Sequence, residues 1–173
     1  MMILSTGGSK CGKSSLAERI LEGFSGDKYY IATMQPYGED AQEAIARHRK
    51  MREGKGFETV ERYTDIGGLV LPDGCGVLLE CMGNLCANEM FRPEGICDPA
   101  ETIVRDVLRL SARTALLVIV TNQVGNDGIS YAPETMEYIR ILGKVNARLA
   151  AAADCAAECV FGIPVILKGH LPC

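Results

Sequence analysis

The chain has 173 residues, of which 47% are hydrophobic and 23% charged, and its formal net charge is −4. We expect residues 1–173 to form a single domain, because this length and composition suit one globular unit with its own core. The acidic balance, the absence of tryptophan and the small number of aromatic residues argue against a nucleic-acid partner. No apolar run reaches the roughly 18 residues that a membrane helix needs, so no membrane partner is expected.

The first apolar segment, residues 1–4, leads into the sequence G-G-S-K-C-G-K-S at residues 7–14, and an amphipathic stretch follows at residues 15–24. The spacing Gly7-x4-Gly12-Lys13-Ser14 matches the phosphate-binding loop that joins a strand to a helix. In such loops backbone N–H groups surround an anion, the lysine reaches the β- and γ-phosphates, and the hydroxyl binds Mg²⁺. The alternative, a glycine turn before an ordinary helix, leaves the lysine and the serine unexplained. We therefore predict a nucleoside triphosphate site, with the contact residues Gly7, Gly8, Ser9, Lys10, Cys11, Gly12, Lys13 and Ser14.

A strand is predicted at residues 28–33 and a helix at about residues 40–52, whose acidic start and basic end complement the helix dipole. Helical spacing puts His48 on the same side as Ala41, Ala44, Ile45 and Met51. A lone histidine on an apolar face is usually a packing residue. Its basic neighbours, however, favour phosphate binding over packing, and these are Arg47, Arg49, Lys50 and Arg52. On the residues alone, both interpretations of His48 remain open.

Further strands are predicted at residues 57–60, 76–81, 115–121 and 159–168, the last of them bent or interrupted at residues 162–164. Helices are predicted at residues 82–92, from residue 98 onwards, and at residues 134–153. Glu80 closes an apolar strand, at the place where phosphate-loop enzymes keep an acid for Mg²⁺ or its water ligands. The alternative for Glu80 is a strand-end carboxylate that only caps neighbouring backbone groups.

Apolar strands that alternate with helices indicate an α/β fold, with a mostly parallel sheet and helices on both faces. Together with the phosphate loop, this pattern predicts a P-loop NTPase fold of the RecA-like type. Ligands of such sheets bind beyond the carboxyl ends of the strands. We therefore expect the phosphate loop, residues 33–38, Glu80 and residues 121–128 to meet at one site.

The cysteines are numerous and stand at positions 11, 75, 81, 86, 97, 155, 159 and 173. No C-x-x-C pair occurs among them, and the two histidines are not spaced to complete a zinc site. We expect no signal peptide ahead of the phosphate loop. We therefore expect reduced thiols and a cytoplasmic protein.

Besides the phosphate loop, the chain carries Y-I-A-T at residues 30–33, I-A-R-H at residues 45–48 and T-N-Q-V-G at residues 121–125. Further short motifs stand at residues 57–61, 78–81, 143–146, 152–154 and 162–164. Taken in order over essentially the whole chain, these motifs resemble the bifunctional adenosylcobinamide kinase / adenosylcobinamide-phosphate guanylyltransferase family of cobalamin biosynthesis. The phosphate loop is common to many families, whereas the histidine segment and the Thr-Asn-x-Val-Gly loop are much more specific.

The resemblance implies two reactions on one scaffold. One phosphorylates the aminopropanol hydroxyl of adenosylcobinamide with ATP or GTP, and the other transfers GMP from GTP onto that phosphate through a guanylylated histidine. It places this histidine at His48, gives Lys13 a catalytic role and has Ser14 and Glu80 bind Mg²⁺. It also implies a corrinoid substrate and a homotrimer. The additional nucleotide contacts are Ile31, Ala32, Thr33, Arg49, Lys50, Met51, Arg52, Glu61 and Glu80.

Three positions depart from the family pattern: Ala44 replaces an arginine, Phe57 a tryptophan and Gln123 a glutamate. A glutamine can neither act as a general base nor supply a full charge to a metal. If that glutamate serves the kinase step in relatives, this step is the one affected here, whereas guanylyl transfer retains His48 and Lys13. Two other functions stay open on the residues: a P-loop kinase for another small metabolite, and a RecA-like nucleotide-switched ATPase or binding module.

Overall fold

The computed structural model describes residues 1–172, in which strands and helices alternate along most of the chain. The strands are β1 (Met2–Thr6), β2 (Lys28–Ala32), β3 (Phe57–Glu61), β4 (Gly76–Glu80), β5 (Phe91–Arg92), β6 (Gly95–Ile96), β7 (Leu116–Val120), β8 (Cys155–Val160) and β9 (Ile163–Lys168). The helices are α1 (Lys13–Glu22), α2 (Gly38–Arg52), α3 (Met82–Met90), α4 (Ala100–Arg113) and α5 (Pro133–Ala152). None of these helices is long and apolar enough to cross a membrane.

Seven strands form one sheet in the order β3-β2-β4-β7-β1-β8-β9. Neighbouring strands are parallel, except for β8 and β9, which pair antiparallel. The central strands β4 and β7 are largely apolar because both faces of the sheet are covered: Leu79 and Ile119 belong to one core cluster, whereas Leu78 and Val118 belong to the other. The predicted α/β fold, with a mostly parallel sheet and helices on both faces, is confirmed.

The two faces of the sheet are covered unequally. Helix α1 packs on one face, where Ala17 and Leu21 join Leu78 and Val118. Helices α3, α4 and α5 cover the other face and contribute to the larger core cluster. Helix α2 joins neither core, since Arg52 is its only buried residue. Its predicted apolar stripe is half-buried at residues 41, 44, 45 and 48 and exposed at Met51. The chain therefore holds α2 over the carboxyl ends of the strands, where the site lies.

The prediction of one final strand at residues 159–168, bent or interrupted at residues 162–164, is only partly right: the chain is interrupted at residues 161–162 and forms a hairpin of β8 and β9. Phe161 and Gly162 make its two-residue turn and have φ values of 50° and 80°, as the tight turns of β-hairpins require. The sequence Cys-Ala-Ala-Glu at the start of β8 has little β-propensity, which hides this strand from pattern analysis. It forms because it pairs with β1 in the middle of the sheet. Pro164 is tolerated in β9 because that strand lies at the edge of the sheet.

The helix predicted at residues 82–92 is shorter in the structure. Helix α3 ends at Met90, and β5 and β6 form a small hairpin after it. The cysteines at positions 11, 75, 81, 86, 97, 155 and 159 are all free thiols, in agreement with the expectation of reduced thiols. Cys173 lies outside the described residues.

Candidate active site

The phosphate loop joins β1 to α1 and lies against the turn between β8 and β9. Gly7 and Gly12 have φ values of 145° and 99°, which residues with a side chain rarely adopt. A Cβ on Gly7 would lie 2.7 Å from the carbonyl oxygen of Cys159, and a Cβ on Gly12 would lie 3.0 Å from the Cα of Gly162. The Gly162 N–H donates to the carbonyl oxygen of Cys11 at 2.8 Å. Close packing against the hairpin therefore requires these two glycines, in addition to their backbone conformation.

Lys13 is the first residue of α1, and its side chain folds back over the loop. The residue is 5% exposed, and its Nζ donates to the carbonyl oxygen of Gly8 at 2.5 Å. The N-terminus of α1 adds partial positive charge at the same place. An anion held in the loop would therefore face the ammonium group and the helix N-terminus together.

Ser14 and Glu80 meet where α1 passes the end of β4. The Ser14 hydroxyl donates to Oε1 of Glu80 at 2.5 Å, and Oε2 is buried without a hydrogen-bond partner in the described part of the chain. Burial raises the pKa of Glu80 to about 7, against the opposing effects of the Ser14 hydrogen bond and the Lys13 charge. A hydroxyl beside a carboxylate with an unused oxygen fits the oxygen ligands that Mg²⁺ prefers. The two residues thus suit a magnesium site, and a bound cation would favour the ionised form of Glu80.

A cavity of about 380 Å³ connects the phosphate loop with α2. Asn84, at the start of α3, and Asn122, just after β7, also line it. Sequence reasoning did not single out these two asparagines, although both follow the carboxyl end of a strand. The predicted residues that the cavity brings together are His48, Ser9, Lys10, Cys11, Gly12, Lys13, Ser14, Ala32, Arg49, Met51, Arg52, Glu61 and Glu80.

Some predicted contact residues of the described chain lie outside this lining, namely Gly7, Gly8, Ile31, Thr33 and Lys50. Ile31 is fully buried in the larger core cluster. The Thr33 hydroxyl lies 3.0 and 2.9 Å from the carbonyl oxygens of Glu80 and Cys81, and it accepts the Cys81 N–H at 2.7 Å. The Thr33 side chain thus links the ends of β2 and β4, and neither Ile31 nor Thr33 lines the cavity.

His48 lies half-buried on the α2 wall of the cavity. Its Nδ1 is 3.4 Å from the hydroxyl oxygen of Tyr30. Burial and the nearby charges of Arg47 and Arg52 lower the pKa of His48 below its usual value of 6.5. The imidazole is therefore neutral at pH 7 and has a lone pair available for attack on phosphorus.

Arg52 anchors the end of α2 beside the cavity. Its guanidinium group lies over the ring of Tyr30, with Cζ 3.5 Å from the ring centroid, and the residue is 6% exposed. Its Nε and Nη1 have no hydrogen-bond partner within residues 1–172. Stacking on an aromatic ring offsets part of the cost of burying such a charge. The positive charge of Arg52 thus stays close to the space in which the phosphates of a nucleotide would lie.

Arg49 and Glu61 form an exposed ion pair, also on the lining of the cavity. The Tyr63 hydroxyl donates to Oε2 of Glu61 at 2.9 Å. The hydrogen bonds from Tyr63 and Arg49 hold the pKa of Glu61 below its usual value. Glu61 is therefore an ionised acceptor at neutral pH.

Gln123, one of the three departures from the family pattern, lies in the loop after β7. Its side-chain amide donates to Oε1 of Glu158 at 3.0 Å, and its backbone N–H donates to the carbonyl oxygen of Gly7 at 3.1 Å. A carboxylate is thus present beside this loop, although a different residue supplies it. Sequence reasoning missed Glu158 because β8 was not predicted. The sequence feature that could have identified Glu158 is the same one that indicated Glu80, namely an acidic residue near the carboxyl end of a strand.

Comparisons with known proteins identify the family of this chain. A model of the family described as cobinamide kinase / cobinamide phosphate guanyltransferase matches residues 3–167. The chain is 35% identical to the bifunctional adenosylcobalamin biosynthesis protein CobU of Escherichia coli (strain K12) and 32% identical to that of Salmonella typhimurium, over 97% of this chain and 100% of each relative. It is 25% identical to the bifunctional adenosylcobalamin biosynthesis protein CobP of Pseudomonas aeruginosa, over 98% of this chain and 99% of that protein.

Among solved structures, a prototypical ATPase from the type III secretion system of pathogenic bacteria aligns with a TM-score of 0.51 at 13% identity, over 91% of this chain. The chain spans about half the length of that ATPase chain, since the match covers 50% of it. This likeness shows the fold alone. The family match and the relatives extend over nearly the whole length, and they decide the classification. The chain belongs to the cobinamide kinase / cobinamide phosphate guanyltransferase family.

Proposed function

We propose that this enzyme phosphorylates the aminopropanol hydroxyl of adenosylcobinamide and then transfers GMP from GTP to that phosphate, through a guanylyl group carried by His48. The observation that carries the proposal is the shared cavity, because the phosphate loop and the imidazole of His48 face one space of about 380 Å³. The relatives are bifunctional adenosylcobalamin biosynthesis proteins, which supports two reactions on this scaffold.

In the guanylyl-transfer reaction, His48 attacks the α-phosphorus of GTP. A nitrogen–phosphorus bond forms while the bond from this phosphorus to the bridging oxygen breaks, and pyrophosphate leaves with the electron pair. Lys13 and the N-terminus of α1 stabilise the charge that develops on the pyrophosphate. In the second displacement, a phosphate oxygen of adenosylcobinamide phosphate attacks the same phosphorus and the imidazole recovers its electron pair. The product is adenosylcobinamide-GDP.

In the kinase reaction, the same loop holds the triphosphate, and Lys13 faces the phosphoryl group that is transferred. Ser14 and Glu80 would hold Mg²⁺, which when bound neutralises phosphate charge. Glu158 keeps a carboxylate beside the loop after β7, where Gln123 stands. This contact supports retention of the kinase reaction.

We also propose that the protein assembles into trimers, as the family resemblance implies, and that it takes a corrinoid substrate. Support for assembly comes from β9, an edge strand whose apolar side chains are 42–66% exposed: Ile163, Val165, Ile166 and Leu167. Exposed apolar edges of this kind are commonly covered by another chain.

The histidine step can be tested with α-labelled GTP and Mg²⁺. The chain has only two histidines, so His170→Asn provides a matched control for His48→Asn. We expect a covalent label that acid removes and alkali does not, as a nitrogen–phosphorus bond requires, in the wild type and in His170→Asn but not in His48→Asn. If active wild-type protein takes up no label, or if the label persists in His48→Asn, the proposal fails. The P-loop kinase for another metabolite, in which His48 only packs, would then be favoured.

A further inference from the structure

The hydroxyl group of Tyr30 approaches one particular nitrogen of His48. Tyr30 lies on β2 and is 3% exposed, and its hydroxyl oxygen is 3.4 Å from Nδ1 of His48. The ring of Tyr30 has little freedom to move, because Arg52 stacks on its face and the Phe57 ring meets it edge-on, with centroids 6.5 Å apart. A rigid polar group is therefore held against Nδ1, whereas Nε2 does not take part in this contact.

A neutral imidazole carries one proton and one lone pair on its two ring nitrogens, and a hydrogen bond to one nitrogen decides which tautomer is present. A phenol can donate or accept. If the Tyr30 hydroxyl donated to Nδ1, the ring proton would sit on Nε2, and the one lone pair of the ring, on Nδ1, would be occupied by this hydrogen bond. If the hydroxyl oxygen accepts a proton from Nδ1, the lone pair of Nε2 is free. Only the second arrangement leaves His48 a nucleophile without first breaking the contact with Tyr30.

We propose that Tyr30 is a positioning residue, whose hydroxyl oxygen accepts the Nδ1–H of His48 and keeps Nε2 unprotonated for attack on the α-phosphorus. The assignment of Nε2 as nucleophile rests on the proposed function, whereas the tautomer does not. During attack, the Nε2 lone pair becomes the bond to phosphorus and pyrophosphate leaves with the electrons of the broken bond. Nδ1 keeps its proton throughout, and the positive charge that appears on the ring is stabilised by the oxygen of Tyr30.

The surroundings of the pair suit this role. Burial raises the pKa of Tyr30 well above its usual value of 10, so the phenol stays neutral over the working pH range. Arg47 and Arg52, on the same helix as His48, oppose protonation of the imidazole. Both partners are thus neutral before the reaction. A hydrogen bond between neutral groups orients the imidazole ring without protonating it, so the ring can attack without first losing a proton.

The tautomer can be read directly by NMR, because the chain has only two histidines. Long-range ¹H–¹⁵N correlations of the full chain at about pH 8, with His170→Asn to assign the signals, report which ring nitrogen of His48 carries the proton. We expect Nδ1 to be protonated in the wild type and the proton to move wholly or partly to Nε2 in Tyr30→Phe. Tyr29→Phe is the matched control, because Tyr29 packs against the larger cluster on the other face of β2, and its spectrum should equal that of the wild type. A wild-type His48 protonated at Nε2, or a spectrum that Tyr30→Phe leaves unchanged, would overturn the proposal.

The same variants separate this inference from the function on which it builds. Tyr30→Phe keeps the ring and therefore its stacking with Arg52 and Phe57. We expect the rate of covalent labelling by GTP to fall roughly 10-fold, as the loss of one hydrogen bond predicts, while the Kd for GTP changes less than about twofold. An unchanged labelling rate would overturn the positioning role. If wild-type protein is not labelled at all, the guanylyl-histidine function fails, and the NMR experiment still decides the tautomer.

Discussion

At the level of single residues, the buried carboxyl group of Glu80 destabilises the metal-free protein when it is ionised. Burial raises its pKa from 4.5 to about 7, so folding favours the protonated form. The contribution to stability is complete below pH 4.5 and is lost as the pH rises to about 7. One pKa unit corresponds to about 1.36 kcal/mol. We therefore expect Glu80→Gln to raise the free energy of unfolding by about 2–3 kcal/mol at pH 8 in EDTA, measured by urea denaturation.

The gain should shrink as the pH falls from 7 towards 4.5, because folded Glu80 then takes up a proton, and it should vanish below pH 4.5, where Glu80 is protonated in both states. Glu61→Gln is the matched control, since the pKa of Glu61 is lowered and not raised, and it should give no gain at pH 8. Equal stability of Glu80→Gln and the wild type at pH 8 would contradict the assignment. The stabilised variant should also lose Mg²⁺-dependent nucleotide binding, because glutamine supplies no charge to a metal.

Gln123 is a second residue whose surroundings lead to a prediction. Glu158 accepts a hydrogen bond from its amide at 3.0 Å, so Gln123→Glu, which restores the family residue, would place two carboxylates in contact. We expect this variant to lower the free energy of unfolding by about 0.5–1 kcal/mol at pH 8, because two like charges are then in contact. We do not expect its kinase turnover to increase. The measurements are urea denaturation and phosphorylation of adenosylcobinamide.

The double variant Gln123→Glu/Glu158→Gln exchanges the two groups and should recover the lost stability. Greater stability of the single variant would show that the two side chains do not interact. Loss of kinase turnover in Glu158→Gln alone, with recovery in the double variant, would assign the carboxylate function to this pair.

At the level of elements, the connection after α2 is tied to α1 by a partly buried ion pair. Lys55 donates to the fully buried Glu18 at 2.6 Å, and this hydrogen bond raises the pKa of Lys55. Lys55→Met would leave the Glu18 carboxylate buried without its cation. We expect it to lower the free energy of unfolding by about 2–3 kcal/mol at neutral pH, as measured by denaturation.

Adding Glu18→Gln to Lys55→Met should restore more than half of that loss, because the buried charge is then removed. Arg148→Met serves as control: its partner Glu101 is 70% exposed, so we expect a much smaller change in the free energy of unfolding, because water screens an exposed ion pair. A cost for Lys55→Met no larger than that of Arg148→Met would show that this ion pair does not stabilise the position of α2.

At the level of the whole molecule, the proposed trimer sets the mass in solution. We expect size-exclusion chromatography with light scattering to give about three times the 18.7 kDa of one chain at micromolar concentration. Dilution should reduce this mass by mass action. A mass of one chain at concentrations that support labelling by GTP would contradict the trimer and leave the chemistry of His48 unaffected.

The elements with strong local patterns were predictable. The apolar runs of β1, β2, β4 and β7 appear at their predicted places, because a strand buried on both faces must be apolar along its length. The hairpin of β8 and β9 was not predictable in the same way. Its first strand is built of small residues such as Ala156 and Ala157, and it exists because β1 offers it hydrogen bonds, which only the assembled sheet provides.

For the site, the sequence by itself determined the phosphate loop. The phosphate-binding groups lie close together in the sequence, from Gly7 to Ser14. Their chemistry can therefore be recognised from the local sequence alone. The tertiary structure alone decided which distant side chains meet: Ser14 with Glu80, Gln123 with Glu158, and Tyr30 with Nδ1 of His48. The physical reason is that strand order and register set these contacts, and both depend on packing summed over the whole sheet.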